Sequence, residues 1–259
     1  AIARGVHVIA DKPFAPTAAA AEELIEAADA AGVLLSVFHN RRWDTDITTL
    51  RGVLDTGVLG DIWRFDSRFD LDQPQTLEAG PEGGLLRDLG SHLVDQALWL
   101  LGPARAVTAN LDWLELPEGR TDAGFVLTIA HASGAHSHVS ASKVNRTESR
   151  ELRVFGSLGS YVSSQTDVQA QAIFAGVRPV DDLGSWGYEV SERWGTLSTA
   201  DGTRVVPSAQ GRYADYYSSF AAAVAGVGPQ PVPAAEAIAT LAVLDAARLS
   251  ARQGVTVAL

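Results

Sequence analysis

The sequence predicts an α/β protein in two parts. A short strand–helix–strand crossover comes first, and an α+β domain with a largely antiparallel open sheet and helices on one face follows. Three observations predict this. Two continuous apolar runs, residues 6–10 and 33–38, flank a helical pattern, as expected of strands buried in a parallel sheet. From Ile62 the apolar period becomes two, and later segments return to it. Between the first such segment and the rest, two glycines (Gly83, Gly84) lead into a mostly buried helix carrying ionisable residues.

Ala1-Ile2-Ala3-Arg4-Gly5 reads as the tail of a helix that closes at Gly5, and the first strand follows at once. The chain opens without methionine and contains none, which is read as residues missing upstream. Thr17 caps a helix with apolar positions Ala21, Leu24, Ile25 and Ala28, stopped by Gly32. Strand, helix and strand within about forty residues form a βαβ crossover. It is too short for a whole nucleotide-binding domain, and no G-x-G-x-x-G occurs.

Lys12 stands just past the C-terminal end of the first strand, where ligands bind in open α/β sheets. The competing reading is a solvated loop cation. His39-Asn40-Arg41-Arg42-Trp43-Asp44 follows the second strand in the same way; its arginines read either as ligands for anions or hydroxyls or as surface charge. Trp43, Ile47, Leu50 and Leu54 mark an amphipathic helix that stops near Gly57.

In the first period-two segment Trp63, Phe65, Phe69 and Leu71 share one face, and Arg64, Asp66, Arg68 and Asp70 the other. The alternation returns at Val107–Ala109–Leu111–Trp113, at Phe125–Leu127–Ile129, at Val139 and Ala141, and in residues 152–155 and 160–162. His136 and His138 share a strand face near His131, but no third ligand stands at convincing spacing, and no metal is expected. Ser140 and Ser142 suggest a polar surface or a cleft wall. Residues 165–210 are irregular except for a hairpin through Asp201-Gly202. Two helices, one from about Tyr213 to Val224 and one holding Ile238, Leu241, Leu244 and Leu249, flank a stiff Pro-Gln-Pro-Val-Pro connector. The aromatic group Tyr213, Tyr216, Tyr217 and Phe220 reads as packing.

The central helix is predicted to start near Asp88, with Leu89, Leu93, Ala97 and Leu101 on its buried stripe. Asp88 and His92 are four apart and share a face, and Asp95 lies three further on, within reach of the imidazole. A histidine beside carboxylates at the mouth of a buried helix suits proton transfer. The plainer alternative makes Asp88 an N-cap and His92 a core histidine satisfied by Asp95.

A chain of 259 residues, 46% hydrophobic and 20% charged, has ample core for a globular protein. Its net charge of −11 argues against nucleic acid and anionic membranes as partners. No apolar run is long enough to span a bilayer, and the absence of cysteine points to a cytoplasmic location.

Three groups together resemble the Gfo/Idh/MocA family of NAD(P)-dependent oxidoreductases, which includes glucose–fructose oxidoreductase and inositol dehydrogenases. They are Val6-His7-Val8-Ile9-Ala10-Asp11-Lys12-Pro13, His39-Asn40-Arg41-Arg42-Trp43, and Gly83-Gly84 through Asp88, His92 and Asp95. The tail around Tyr213, Phe220 and Pro231-Val232-Pro233 is also similar. Asp11 replaces the usual Glu, and Thr45 stands where a Pro is often found.

The resemblance implies a Rossmann domain followed by an α/β domain. Residues 1–40 would be the C-terminal βαβ part of the first, and residues 41–259 the substrate and oligomerisation domain, a homo-oligomer forming through the open sheet. It implies Lys12, Asp88 and His92 as the catalytic group, Asp11 and Lys12 as cofactor contacts, and Asn40 and Arg42 as substrate contacts. The cofactor would be NAD or NADP, with its main binding motif outside this chain, and the substrate a secondary alcohol of a sugar or polyol. On this chemistry His92 takes the hydroxyl proton and Lys12 steadies charge on the oxygen. The Lys12–Pro13 peptide is expected to be cis. Two rival functions on the same fold are NAD-assisted glycoside cleavage and a cofactor-free binding or dimerisation module. As a fragment, the chain is expected to be inactive alone.

Overall fold

The computed structural model describes residues 1–80 and 83–259. Strands β1 (Val8–Ala10) and β2 (Leu35–Val37) pair in parallel, and α1 (Ala18–Ala30) makes the crossover. Thr17 caps that helix as its sequence predicts, its hydroxyl accepting from the Ala20 N–H at 3.2 Å. Gly32 takes the left-handed φ of 65° that ends it. The expected helical tail at the N-terminus is a single 3-10 turn, Ile2–Arg4. The small sheet is tied to the C-terminal part through Ser36, which donates to the Val232 carbonyl at 2.8 Å and accepts from the Tyr216 hydroxyl at 2.7 Å.

A 3-10 turn over Asn40–Trp43 leads into α2 (Thr45–Asp55). Beyond it come β3 (Ile62–Asp70), α3 (Leu85–Leu101), β4 (Ala104–Leu116), β5 (Gly119–His131), β6 (His136–Ser142), β7 (Ser149–Gly156) and β8 (Gly159–Ser163). The irregular region holds α4 (Val168–Phe174), which periodicity did not reveal, and the expected hairpin of β9 (Gly195–Thr199) and β10 (Gly202–Val206). Helices α5 (Ala214–Val224) and α6 (Ala234–Gln253) and the short β11 (Val257–Ala258) complete the chain.

Among the described residues, nine strands form one sheet in the order β10-β9-β8-β7-β3-β6-β5-β4-β11. All pairs are antiparallel except β3 with β6, which run parallel. Helices α3 and α6 cover one face. Leu86, Leu89 and Leu93 of α3 meet Phe125 and Leu127 of β5 and Leu241 and Leu244 of α6 in the main core. Each such side chain contributes roughly 1.5–3 kcal/mol by leaving water. A Cβ on Gly90 would stand 3.0 Å from Leu86 Cδ1, whereas the Phe125 ring edge, at 3.5 Å, is an ordinary contact.

The opposite face is solvated, with Arg64, Arg68, Val126, His138 and Arg153 exposed. Trp63 corrects the sequence reading. It is 60% exposed rather than on the buried face, because the β3–β7 register slips between Ile62 and Arg64. One extra residue in a ladder turns a side chain to the other face. Among the described residues, no helix is long and apolar enough to cross a membrane.

Candidate active site

The site begins with the start of α3. The helix starts at Leu85, one turn earlier than the apolar stripe predicts, with Gly84 as its N-cap residue at φ 95°. The cap is not Asp88. Asp122 of β5 supplies it across the sheet, its carboxylate accepting from the Leu86 N–H at 2.6 Å. A Cβ on Gly84 would collide with that carboxylate, and one on Gly83 with the Glu78 carbonyl, so the Gly-Gly pair is what lets the loop close this tightly.

Relieved of capping, Asp88 projects into a cavity of about 240 Å³ lined by Lys12, Gly84, Arg87, Asp88 and Lys143, among others. Lys12 reaches it from the end of β1, next to a cis Lys12–Pro13 peptide. Its ammonium donates to Asp88 Oδ1 at 2.8 Å and to the Asp88 carbonyl at 3.0 Å. Lys143, just past β6, donates to Asp88 Oδ2 at 2.9 Å. Burial alone would raise the Asp88 pKa; Lys12, then Lys143, outweigh it and hold the carboxyl below its ordinary value.

His92 lies one turn along α3 from Asp88, buried, and does not line the cavity. Burial first, then the positive charges of Lys12 and Arg41, push its pKa well below 6.5, so the ring is neutral. Its Nδ1 is buried without a hydrogen-bond partner. The expected His92–Asp95 contact is replaced by another. Asp95 takes a two-pronged bond from Arg42, Nε–Oδ2 at 2.8 Å and Nη2–Oδ1 at 2.6 Å, and lies 3.8 Å from His39 Nε2.

Arg42 therefore leaves the substrate set. Its third nitrogen donates to Glu236 at 2.6 Å and its plane lies over Trp99, so a buried guanidinium with all its arms engaged ties the 40–43 turn to α3 and α6. Asn40 is half-buried in the same turn. Asp11 is exposed, and its carboxylate turns back to the Lys12 backbone N–H at 2.8 Å.

Arg41 bonds Asp167 at 2.6 Å and Asp44 at 3.2 Å. Arg150 of β7 bonds Asp46 at 2.6 Å and reaches Asp44, which also accepts from the Tyr213 hydroxyl. Both guanidiniums stack on the Phe69 ring. Tyr213 thus belongs to a buried charge network rather than to simple packing. Among the described residues no cluster of three or more His, Cys, Asp or Glu is arranged to hold a metal.

Lys143 and Asp122 escaped the sequence reading because strand pairing, not local spacing, delivers them. One signal was available. The chain has only two lysines among its 20 basic residues, Lys12 and Lys143, and both end on Asp88.

Comparison with known proteins decides the family. Residues 1–39 match the profile of the oxidoreductase family with an NAD-binding Rossmann fold, and residues 47–162 that of the GFO/IDH/MocA C-terminal domain. The uncharacterised oxidoreductase YdgJ of Escherichia coli is 35% identical over 100% of this chain and 76% of its own length. The chain belongs to the GFO/IDH/MocA oxidoreductase family.

Another relative is the NADP-dependent scyllo-inositol 2-dehydrogenase IolW of Bacillus subtilis, 34% identical over 100% of this chain and 74% of its own. A D-apiose dehydrogenase of Paraburkholderia graminis is 29% identical over 98% and 67%. The solved structure of the oxidoreductase yvaA from Bacillus subtilis matches with a TM-score of 0.91 at 34% identity, covering 100% of this chain and 76% of that one. In this GFO/IDH/MocA oxidoreductase, β1, α1 and β2 lie in the NAD-binding match, and Asp88 and Lys143 in the C-terminal match, so the two lysines on Asp88 come one from each.

Proposed function

We propose that this protein oxidises a secondary alcohol of a sugar or polyol with NAD or NADP, in the cavity where Lys12 meets Asp88. The carrying observation is that contact: an ammonium at the C-terminal edge of a parallel strand pair, held on a carboxylate that is 47% exposed to the cavity. The residues present fit a nicotinamide cofactor on their chemistry, since Asp11 and Lys12 occupy that strand edge and a neutral imidazole with a buried, unpartnered Nδ1 lies behind it. Asp11 and Lys12 would hold it, and when bound it supplies the hydride acceptor.

The remaining work falls to side chains of this chain. Lys12 spends two of its three donors on Asp88, leaving one for the substrate oxygen, where it stabilises growing negative charge. His92, neutral at physiological pH, receives the hydroxyl proton. Catalytic hydrogen bonds of this kind tighten once substrate is bound, so the position of the imidazole behind the cavity wall does not remove it from this role. Asp88 fixes the ammonium rather than the imidazole.

Inositol and apiose are the substrates to try first, given the names of the relatives. The solvated sheet face, with Arg64, Arg68 and Arg153 beside Asp66 and Glu151, is the surface we assign to self-association; sedimentation as a monomer would remove that assignment. The test of function is reduction of NAD⁺ or NADP⁺ by the full chain with scyllo-inositol, myo-inositol or D-apiose. A fall in turnover of roughly 10²–10³-fold on Lys12→Met is expected. No turnover with any of the three, under conditions where IolW is active and the chain binds the cofactor, would overturn the reading.

A further inference from the structure

Lys143 is the second of the chain's two lysines, and every other basic position carries arginine. Its backbone is clamped on both sides: its N–H donates to the Ala123 carbonyl at 3.0 Å, and its carbonyl accepts from the Gln73 N–H at 3.2 Å. The side chain is 7% exposed, lines the cavity, and places its ammonium 2.9 Å from Asp88 Oδ2. Lys12 holds the other oxygen of the same carboxylate at 2.8 Å. One carboxylate thus spaces two ammoniums, one on each of its oxygens.

Charge neutralisation of Asp88 requires only one cation, and Lys12 provides it. Glu78 and Arg87 also line the cavity with opposite charges, so the second ammonium leaves the wall with a surplus of positive charge. An ammonium has three donors, and Lys143 uses one of them on Asp88. Lysine suits this task better than arginine, because it is a compact point donor that addresses single oxygens, whereas a guanidinium prefers a planar two-oxygen partner.

We propose that Lys143 is a second substrate-contacting residue, and that Lys12 and Lys143 together receive two neighbouring oxygens of the substrate across the Asp88 carboxylate. This rests on the reading of the cavity as an oxidoreductase site and makes the hydroxyl next to the oxidised one a second point of recognition. Lys12 takes the hydroxyl that is oxidised; Lys143 takes the one on the adjacent carbon. A lone secondary alcohol satisfies one ammonium and leaves the other facing a carbon.

With only two lysines, side-chain ¹⁵N labelling gives two ammonium signals, assigned by Lys12→Gln and Lys143→Gln. The probe is scyllo-inositol, titrated into the labelled full chain, with cyclohexanol as the mono-hydroxyl control. Both signals are expected to shift with scyllo-inositol, and Lys143→Gln should weaken binding at least about tenfold, which is ~1.4 kcal/mol. Lys143→Arg should restore only part of that affinity. A shift at Lys12 alone would overturn the second contact and leave the oxidoreductase reading standing. No shift at either lysine would overturn both. Equal shifts with cyclohexanol would overturn the recognition of the neighbouring hydroxyl. The wild-type titration decides the matter even if a variant fails to fold.

Discussion

Arg42 and Asp95, which are 53 positions apart, form a two-pronged buried ion pair at 2.6 and 2.8 Å that fixes the turn after β2 against the middle of α3. Both side chains are at most 5% exposed, so neither charge has water to fall back on. Arg42→Met should therefore cost about 3–5 kcal/mol, because it strands the carboxylate in the interior. Arg42→Met combined with Asp95→Leu should recover a large part of that loss. Urea unfolding of Arg42→Met, Asp95→Leu and the double variant checks this, and additive losses would contradict it.

The Gly84 backbone makes a second prediction. Its φ of 95° disfavours side chains, and the Asp122 carboxylate fills the space a Cβ would need. Gly84→Ala should destabilise by about 1–3 kcal/mol, and turnover should fall with it as the helix start shifts beneath Asp88. Thermal unfolding and steady-state kinetics on one preparation separate the two effects.

Stability should depend on pH through the buried histidines. Burial lowers the pKa of His39, His92 and His131 below the unfolded value of 6.5. Between the folded and unfolded pKa values the unfolded chain binds more protons, so stability rises with pH there. It should be complete above about pH 6.5 and decline as the pH falls below it. The folded carboxyls of Asp88 and Asp167 are held below their usual range, so their contribution disappears only at still lower pH. In His92→Gln the decline below pH 6.5 should flatten, as followed by melting temperature against pH.

Lys12→Met should lower kcat roughly 10²–10³-fold, the usual cost of removing a donor to a developing oxyanion. His92→Ala should lower it roughly 10²–10⁴-fold. Folding should survive Lys12→Met, since Lys143 still balances Asp88. Unaltered turnover in either variant removes that residue from the mechanism.

Helical spacing was enough to place Asp88 and His92 on one helix face, and strand ends were enough to place Lys12. The apolar runs likewise mark β1, β2 and the sheet strands from β3 on. What the pattern could not carry was contact across the chain. The partner of Asp95, for which helix geometry offered His92, is Arg42, delivered by packing of the 40–43 turn. The cap of α3 comes from β5, and Trp63 is turned outward by a register slip no alternation count reveals. Arg42 looked like a ligand because its type suits hydroxyls and anions; its burial against Asp95 and Glu236 is what occupies it.

The parallel pairing of β3 with β6 decides where chemistry is possible on this scaffold. Strands travelling the same way deliver their following residues to a common rim, and the Leu71 N–H indeed meets the Ser142 carbonyl at 2.8 Å as both leave the sheet. Reversing β6 would carry Lys143 some seven residues away, about 23 Å at the usual rise per residue. A single change in the direction of travel thus brings a distant lysine onto the carboxylate at the start of the central helix.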